Sequence, residues 1–130
     1  MYTAVTHDIR ITVQPVFLED QSAPAEGRFV WAYHVRIENE GNETVRLRTR
    51  HWRITDAMGR VQEVRGPGVV GEQPVLEPGG HFEYTSGTPL GTPSGIMAGS
   101  YGMEGADGRS FDVTIPAFSL DSPHQPMQLN

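Results

Sequence analysis

Between residues 28 and 40, large apolar side chains fall on every second position: Phe29, Trp31, Tyr33, Val35 and Ile37, with Val30, Ala32, His34, Arg36 and Glu38 between them. Side chains of an extended chain alternate between two faces, so this segment predicts a β-strand with one buried and one largely wet face. The same period of two recurs over residues 8–18, where Ile9, Ile11, Val13 and Phe17 are in phase, and over residues 110–120, where Phe111, Val113, Ile115 and Ala117 alternate. No segment carries an apolar stripe at helical spacing over the length a helix needs.

Further strands are expected at 44–56, 60–65, 80–86 and 95–104. Residues 28–40 and 44–56 read as a long hairpin closed by Glu40-Gly41-Asn42-Glu43, and 95–104 pairs with 110–120 across Gly105-Ala106-Asp107-Gly108. Residues 44–56 contain a conflict. Val45 and Leu47 share one parity while Trp52 and Ile54 share the other, so the strand needs a bulge near Arg50 and His51 or must cross between two sheets. Pro15 and Pro116 cannot donate to a ladder and belong at edges or bulges. About seven antiparallel strands at short turn spacings predict an all-β sandwich of the immunoglobulin or fibronectin type III kind, with a small barrel as the alternative.

The 130 residues make one domain, residues 1–130, with 121–130 expected as a frayed tail. Fifteen Gly and ten Pro supply the turns; cysteine is absent, which excludes disulfides, Cys-based zinc sites and thiol nucleophiles. All ten basic residues are Arg, which excludes a Schiff-base or P-loop lysine. A net charge of −6 disfavours nucleic acid as a partner. No signal-peptide pattern and no apolar run of membrane-spanning length is present, so a cytoplasmic location is expected.

Gly66-Pro67-Gly68-Val69-Val70-Gly71 spells G-x-G-x-x-G after a predicted strand, but Pro74 and Pro78 deny it the helix a dinucleotide site requires. A helix-free nest of backbone N–H groups, with Arg65 alongside, could still take an anion, although Pro67 removes a donor and Glu72 adds negative charge. The bland reading is a tight turn whose glycines adopt positive φ. His34 and His51 would meet across the long hairpin, and Arg46, Arg48 and Arg50 would form one basic stripe with Arg36 opposite. No zinc pattern, EF-hand loop or nucleophile elbow is legible around the five histidines, the carboxylates or Ser86.

A longer pattern surrounds the hexad. Arg50-His51-Trp52-Arg53-Ile54-Thr55-Asp56 and Gly59 precede it, together with Glu63-Val64-Arg65. Glu72-Gln73-Pro74, Pro78-Gly79, Phe82, Tyr84-Thr85-Ser86-Gly87, Leu90, Thr92-Pro93, Gly95, Met97, Gly99 and Tyr101 follow it. This resembles the bacterial ApaG family, densely from about His51 to Met103. The resemblance implies a fibronectin-type sandwich and an association, read as indirect, with cobalt and magnesium efflux or cobalt resistance. It implies no enzyme activity and no catalytic residue.

The expectation is therefore a non-catalytic binding module with an unidentified protein partner. The candidate contact residues are Arg65, Gly66, Gly68, Gly71, His51 and Trp52. The alternatives are a binder of pyrophosphate or a dinucleoside polyphosphate through the 66–71 loop, and a direct binder of divalent metal. No cofactor is expected beyond weak Mg²⁺ or Co²⁺ binding, metal ligands are unassigned, and homo-oligomerisation stays open.

Overall fold

A computed structural model describes residues 1–124. Among the described residues the strands are, in chain order, β1 (Tyr2–Thr6), β2 (Ile9–Phe17), β3 (Phe29–Asn39), β4 (Val45–Asp56), β5 (Val61–Pro67), β6 (Val75–Leu76), β7 (His81–Leu90), β8 (Ser94–Gly105) and β9 (Ser110–Asp121). They form two antiparallel sheets, β1-β2-β3-β7 and β5-β4-β8-β9, with β6 added to β4. The sheets stack as the expected sandwich. The barrel alternative fails because β5 and β7, at the rims of opposite sheets, do not pair. The sequence reading missed β1 and β6; Tyr2–Thr6 and Val75–Leu76 are too short or too polar to show a periodic signal.

The expected hairpin between the third and fourth strands does not form. β3 pairs with β2 and β7, whereas β4 lies in the other sheet with β5, β6 and β8. Each has a strongly apolar face, and the two faces meet across the core instead of the two edges meeting in a ladder. Tyr33 and Trp52 make that contact, with ring centroids 5.1 Å apart. The crossing is pinned by Asn39, which is 2 % exposed. Its Nδ2 donates to the carbonyls of Glu43 (2.7 Å) and Leu76 (3.0 Å), and its Oδ1 accepts from Gly41 N (3.0 Å). A buried amide with its bonding capacity this well used turns the polar Glu40–Glu43 stretch into a bridge between sheets.

The two prolines sit as expected. Pro15 lies beyond the end of β1, which pairs only as far as Val13, so β2 is an edge there. Pro116 lies on β9, an edge strand, inside a register shift between Met97 and Gly99 of its partner β8. The expected tail begins at Asp121, and its first four residues are described. β9 runs to Asp121, Ser122 is buried with its N–H donating to Pro93 O (3.0 Å), and the His124 ring packs near Phe17 and bonds Glu19 (2.8 Å). The remainder of the expected tail, 125–130, lies outside the described residues.

One side of the sandwich is closed, where β9 packs on β1 and β2 and Thr114 N donates to Thr6 Oγ1 (3.1 Å). The other side, between β5 and β7, is an open seam. Deep to that seam the two sheets are tied by a hydrogen bond between the hydroxyls of Tyr84 on β7 and Tyr101 on β8, both buried. Replacing Tyr101 by Phe should leave the Tyr84 hydroxyl unpaired and lower unfolding stability by about 1–3 kcal/mol. The Tyr84→Phe, Tyr101→Phe double variant should lose clearly less than the sum of the single changes. Denaturant unfolding of the three variants measures this, and additive losses would contradict it.

Candidate functional site

The residues around the glycine hexad are placed by an irregularity in β4. Leu47 faces Met103 and Thr49 faces Gly102, so Arg48 has no counterpart and forms a bulge. The sequence conflict therefore resolves two residues earlier than expected. Before the bulge Val45 and Leu47 point into the core; after it Trp52 and Ile54 do. Arg50, in phase with Trp52, turns inward as well. The expected single stripe of Arg46, Arg48 and Arg50 does not exist, because the extra residue reverses the side on which later residues project. Arg36 lies on the other sheet, ion-paired with Glu38 and Glu83.

Arg50 lines the seam with Tyr33, Trp52, Tyr84 and Ser86. Its ladder partner is Gly66. A Cβ on Gly66 would stand 3.0 Å from both terminal nitrogens of the guanidinium, so the glycine is the space in which that group rests. From there Nη1 donates to the carbonyls of Pro67 (2.9 Å) and Gly68 (3.0 Å). Burial raises the pKa of Tyr33, Tyr84 and Tyr101, and the nearby Arg50 charge only partly offsets it. The phenols therefore stay neutral, and Arg50 is the charged group of this pocket.

No helix follows the hexad. Gly68 N donates to Arg48 O (2.8 Å), Val69 N to Glu72 O (2.8 Å) and Glu72 N back to Val69 O (2.9 Å). This reciprocal pair closes a two-residue turn whose central residues, Val70 and Gly71, have φ of 43° and 81°, as a type I′ turn requires. Gly68 also has positive φ (62°), and a Cβ there would sit 2.2 Å from Glu72 O. Val69 is a buried plug and Val70 is exposed at the tip. The three glycines thus answer separate demands: a seat for Arg50, a close backbone approach, and a left-handed turn residue. The N–H groups of Gly68 and Val69 are already bonded to carbonyls, which leaves an anion nest few donors.

The candidate residues divide accordingly. Gly66, Gly68 and Gly71 lie in the loop. His51 and Arg65 are ladder partners on the outer face of the second sheet, lining a cavity of about 470 Å³ with Thr49, Ser100, Gly102 and Asp112, which Arg50 and Gly66 also border. His51 Nε2 has Glu63 Oε1 at 3.5 Å and no hydrogen-bond partner. Trp52 is core, 3 % exposed, so it supports the loop region from beneath and is no surface residue. His34 does not meet His51, since the two are on different sheets. It bonds Thr85 (2.9 Å) and Glu83 (3.0 Å) on β7, and that bond leads in holding the Glu83 carboxyl below its ordinary range. Among the described residues no group of three or more His, Cys, Asp or Glu side chains is placed to hold a metal ion. Sequence reasoning missed Arg50, Tyr84 and Ser86 as a unit. The parity Arg50 shares with Trp52 and Ile54 was the available signal.

The family model for the ApaG domain matches residues 19–105. Protein ApaG of Rhodospirillum centenum is 75 % identical over 124 residues, covering 95 % of each chain. Protein ApaG of Parvibaculum lavamentivorans is 67 % identical over 130 residues, covering 100 % of each. Among solved structures, the putative ApaA protein from Bordetella pertussis superposes with a TM-score of 0.87 at 49 % identity, covering 91 % of this chain and 96 % of that one.

Two outcomes follow from this geometry. Gly68→Ala should lose at least about 2 kcal/mol by denaturant unfolding, from the backbone collision and the positive φ together. Gly71→Asn should be nearly neutral, because Asn tolerates that φ and nothing lies within 4 Å of the added Cβ; equal losses would refute the separate roles. The tyrosine pKa values are raised on folding, so the stability they confer is fully present below their unfolded value near 10.0 and is lost as pH rises above it. The denaturation midpoint should fall steeply above that pH, and much less so in the Tyr84→Phe, Tyr101→Phe double variant.

Proposed function

We propose that this chain, which belongs to the ApaG family, works as a non-catalytic module that binds a protein partner, with any role in cobalt or magnesium efflux exerted through that partner. The observation that carries the reading is the build of the 66–72 segment. Its backbone is fixed by its own hydrogen bonds, with Val69 anchored in the core, and it presents an exposed valine, Val70, at 55 %. A pre-formed apolar tip on a rigid scaffold binds without an ordering penalty, which suits recognition. Arg65 and His51 flank it on the outer face, and Gly66, Gly68 and Gly71 shape it, while Trp52 supports it from inside.

Apart from Arg10, raised by its hydrogen bond to Glu40, the groups whose pKa values are raised are buried phenols held neutral, which supports binding over proton-transfer chemistry. No helix among the described residues is long and apolar enough to cross a membrane. Ion movement would in that case fall to another protein, and a cytoplasmic setting goes with the same proposal. Binding of a small phosphate compound is the competing reading. It is favoured by one observation, the outer cavity that gathers Arg50, Arg65, His51, Thr49 and Ser100, although Asp112 opposes it there.

The test is affinity capture from the native host with the intact chain and with an Arg65→Glu, Val70→Asp variant of unchanged thermal unfolding. A partner retained by the parent and lost by the variant is expected. Equal recovery by both would remove this surface. Absence of any saturable protein partner, with amide shifts of Arg65 and His51 on pyrophosphate titration, would replace the proposal with the small-anion reading.

A further inference from the structure

The open seam is a groove. Three cavities of about 250, 250 and 190 Å³ follow one another between β5 and β7. The first two share Ile54, Gln62 and Pro89, and the last two share Tyr33, Arg50, Trp52 and Ser86, so they are continuous. β5 runs beside them for seven residues, a length of roughly 23 Å in extended chain. Among the described residues β5 pairs only with β4, and β7 only with β3. Each therefore offers an unpaired row of backbone groups along the groove. The β7 edge is blunted by Pro89, which has no N–H to offer; β5 is interrupted only at its last residue, Pro67.

The groove carries charge at both ends and a mixed lining between: Asp56 and Arg60, ion-paired with each other, border its first cavity, and Gln62, Ser86 and Thr88 stand among the apolar residues of its middle. Trp52, Ile54, Val64 and Met97 line its middle. At the end nearest the hexad stands Arg50, seated over Gly66 and bonded to two carbonyls. Among the described residues, the acidic side chains that bond arginines pair with Arg10, Arg36, Arg60 and Arg109; no acid lines the two seam cavities that Arg50 borders, and Asp112, on the outer cavity that Arg50 also borders, makes no ion pair with it. A half-buried guanidinium without a counter-ion, beside neutral hydroxyls, is a ready receptor for one carboxylate.

We infer that this groove takes an extended segment of a partner protein, added as a strand along β5, with an apolar side chain over Trp52 and a single Asp or Glu on Arg50. The inference rests on the partner-binding reading above and names its site and ligand. Main-chain pairing supplies affinity and the alternate side chains supply selection. The net charge of −6 opposes an acidic tract, so the segment carries one acid among apolar and neutral residues.

The experiment is selection of displayed random heptapeptides on the intact chain. Parallel selections use Arg50→Gln and Ser86→Glu, the latter placing an internal carboxylate in the cavities Arg50 lines. Enrichment of alternating apolar sequences with an acid at one fixed position is expected on the parent only. A selected peptide should bind about tenfold more weakly when its acid becomes the amide, the scale of one charge-assisted hydrogen bond. Its amide shifts should map to β5, Tyr33 and Ser86. No enrichment, acid-free enrichment, or the same sequences on both variants would overturn the inference, as would full competition by inorganic phosphate at matched concentration. A natural partner captured equally by the parent and by folded Arg50→Gln would refute the groove while leaving the module intact. Failure to capture any partner would instead remove the reading on which the groove rests.

Discussion

The extra residue at Arg48 sets the geometry on which the rest of the site depends. A strand of strict period two would place Leu47 and Trp52 on opposite faces, exposing one of them to water. Burying both removes on the order of 3–5 kcal/mol worth of apolar surface from solvent, by the usual scale for large side chains. The bulge makes that compatible with one continuous ladder to β8. Its consequence is that Arg50, a residue that alternation from Leu47 would keep on the wet face, is turned into the seam. A charge in that position is tolerable only with acceptors close by, and the carbonyls of Pro67 and Gly68 provide them.

The loop carbonyls can reach Arg50 because of the glycines around them. Gly66 leaves the guanidinium its volume, Gly68 lets the chain fold against Glu72, and Gly71 completes the turn that returns it toward β6. The loop and Arg50 therefore form one structural unit: the carbonyls hold the charge and the charge holds the carbonyls. A spacing shared with dinucleotide sites serves here to position an arginine side chain, while the backbone N–H groups are turned to internal bonds. Glycine spacing reports where a backbone must bend or approach closely, and the element that follows decides what the bend is for.

The two halves of the core are held by neutral contacts. Tyr33, Trp52, Tyr84, Tyr101 and Phe118 meet between the sheets, with the paired tyrosine hydroxyls satisfied by each other. This leaves Arg50 as the charge without an ion-pair partner at the hexad end of the seam, while the other end holds the mutually paired Asp56 and Arg60. Closure on the β1–β9 side and openness on the β5–β7 side make the molecule asymmetric, and that asymmetry directs the available strand edge toward the same region as the hexad.

Period two in residues 28–40 and the scarcity of helical spacing were enough to determine strands, a buried face and a sandwich. The position of Pro15 and Pro116 at edges followed from a missing N–H. The long pattern from His51 to Met103 was enough to indicate the family. Strand partners were not legible: the short polar link from Glu40 to Thr44 serves equally as a hairpin turn or as a bridge between sheets, and Asn39 distinguishes them only through bonds to Leu76, far along the chain. The same holds for the site. Alternation states which side chains share a face, but the bulge that reassigned Arg50, and the company of Tyr84 and Ser86 from another sheet, arise from burying two apolar faces against each other at once. Local spacing determined the elements; the tertiary structure decided which edges stayed open and which charge was left between them, because both depend on contacts between residues remote in sequence.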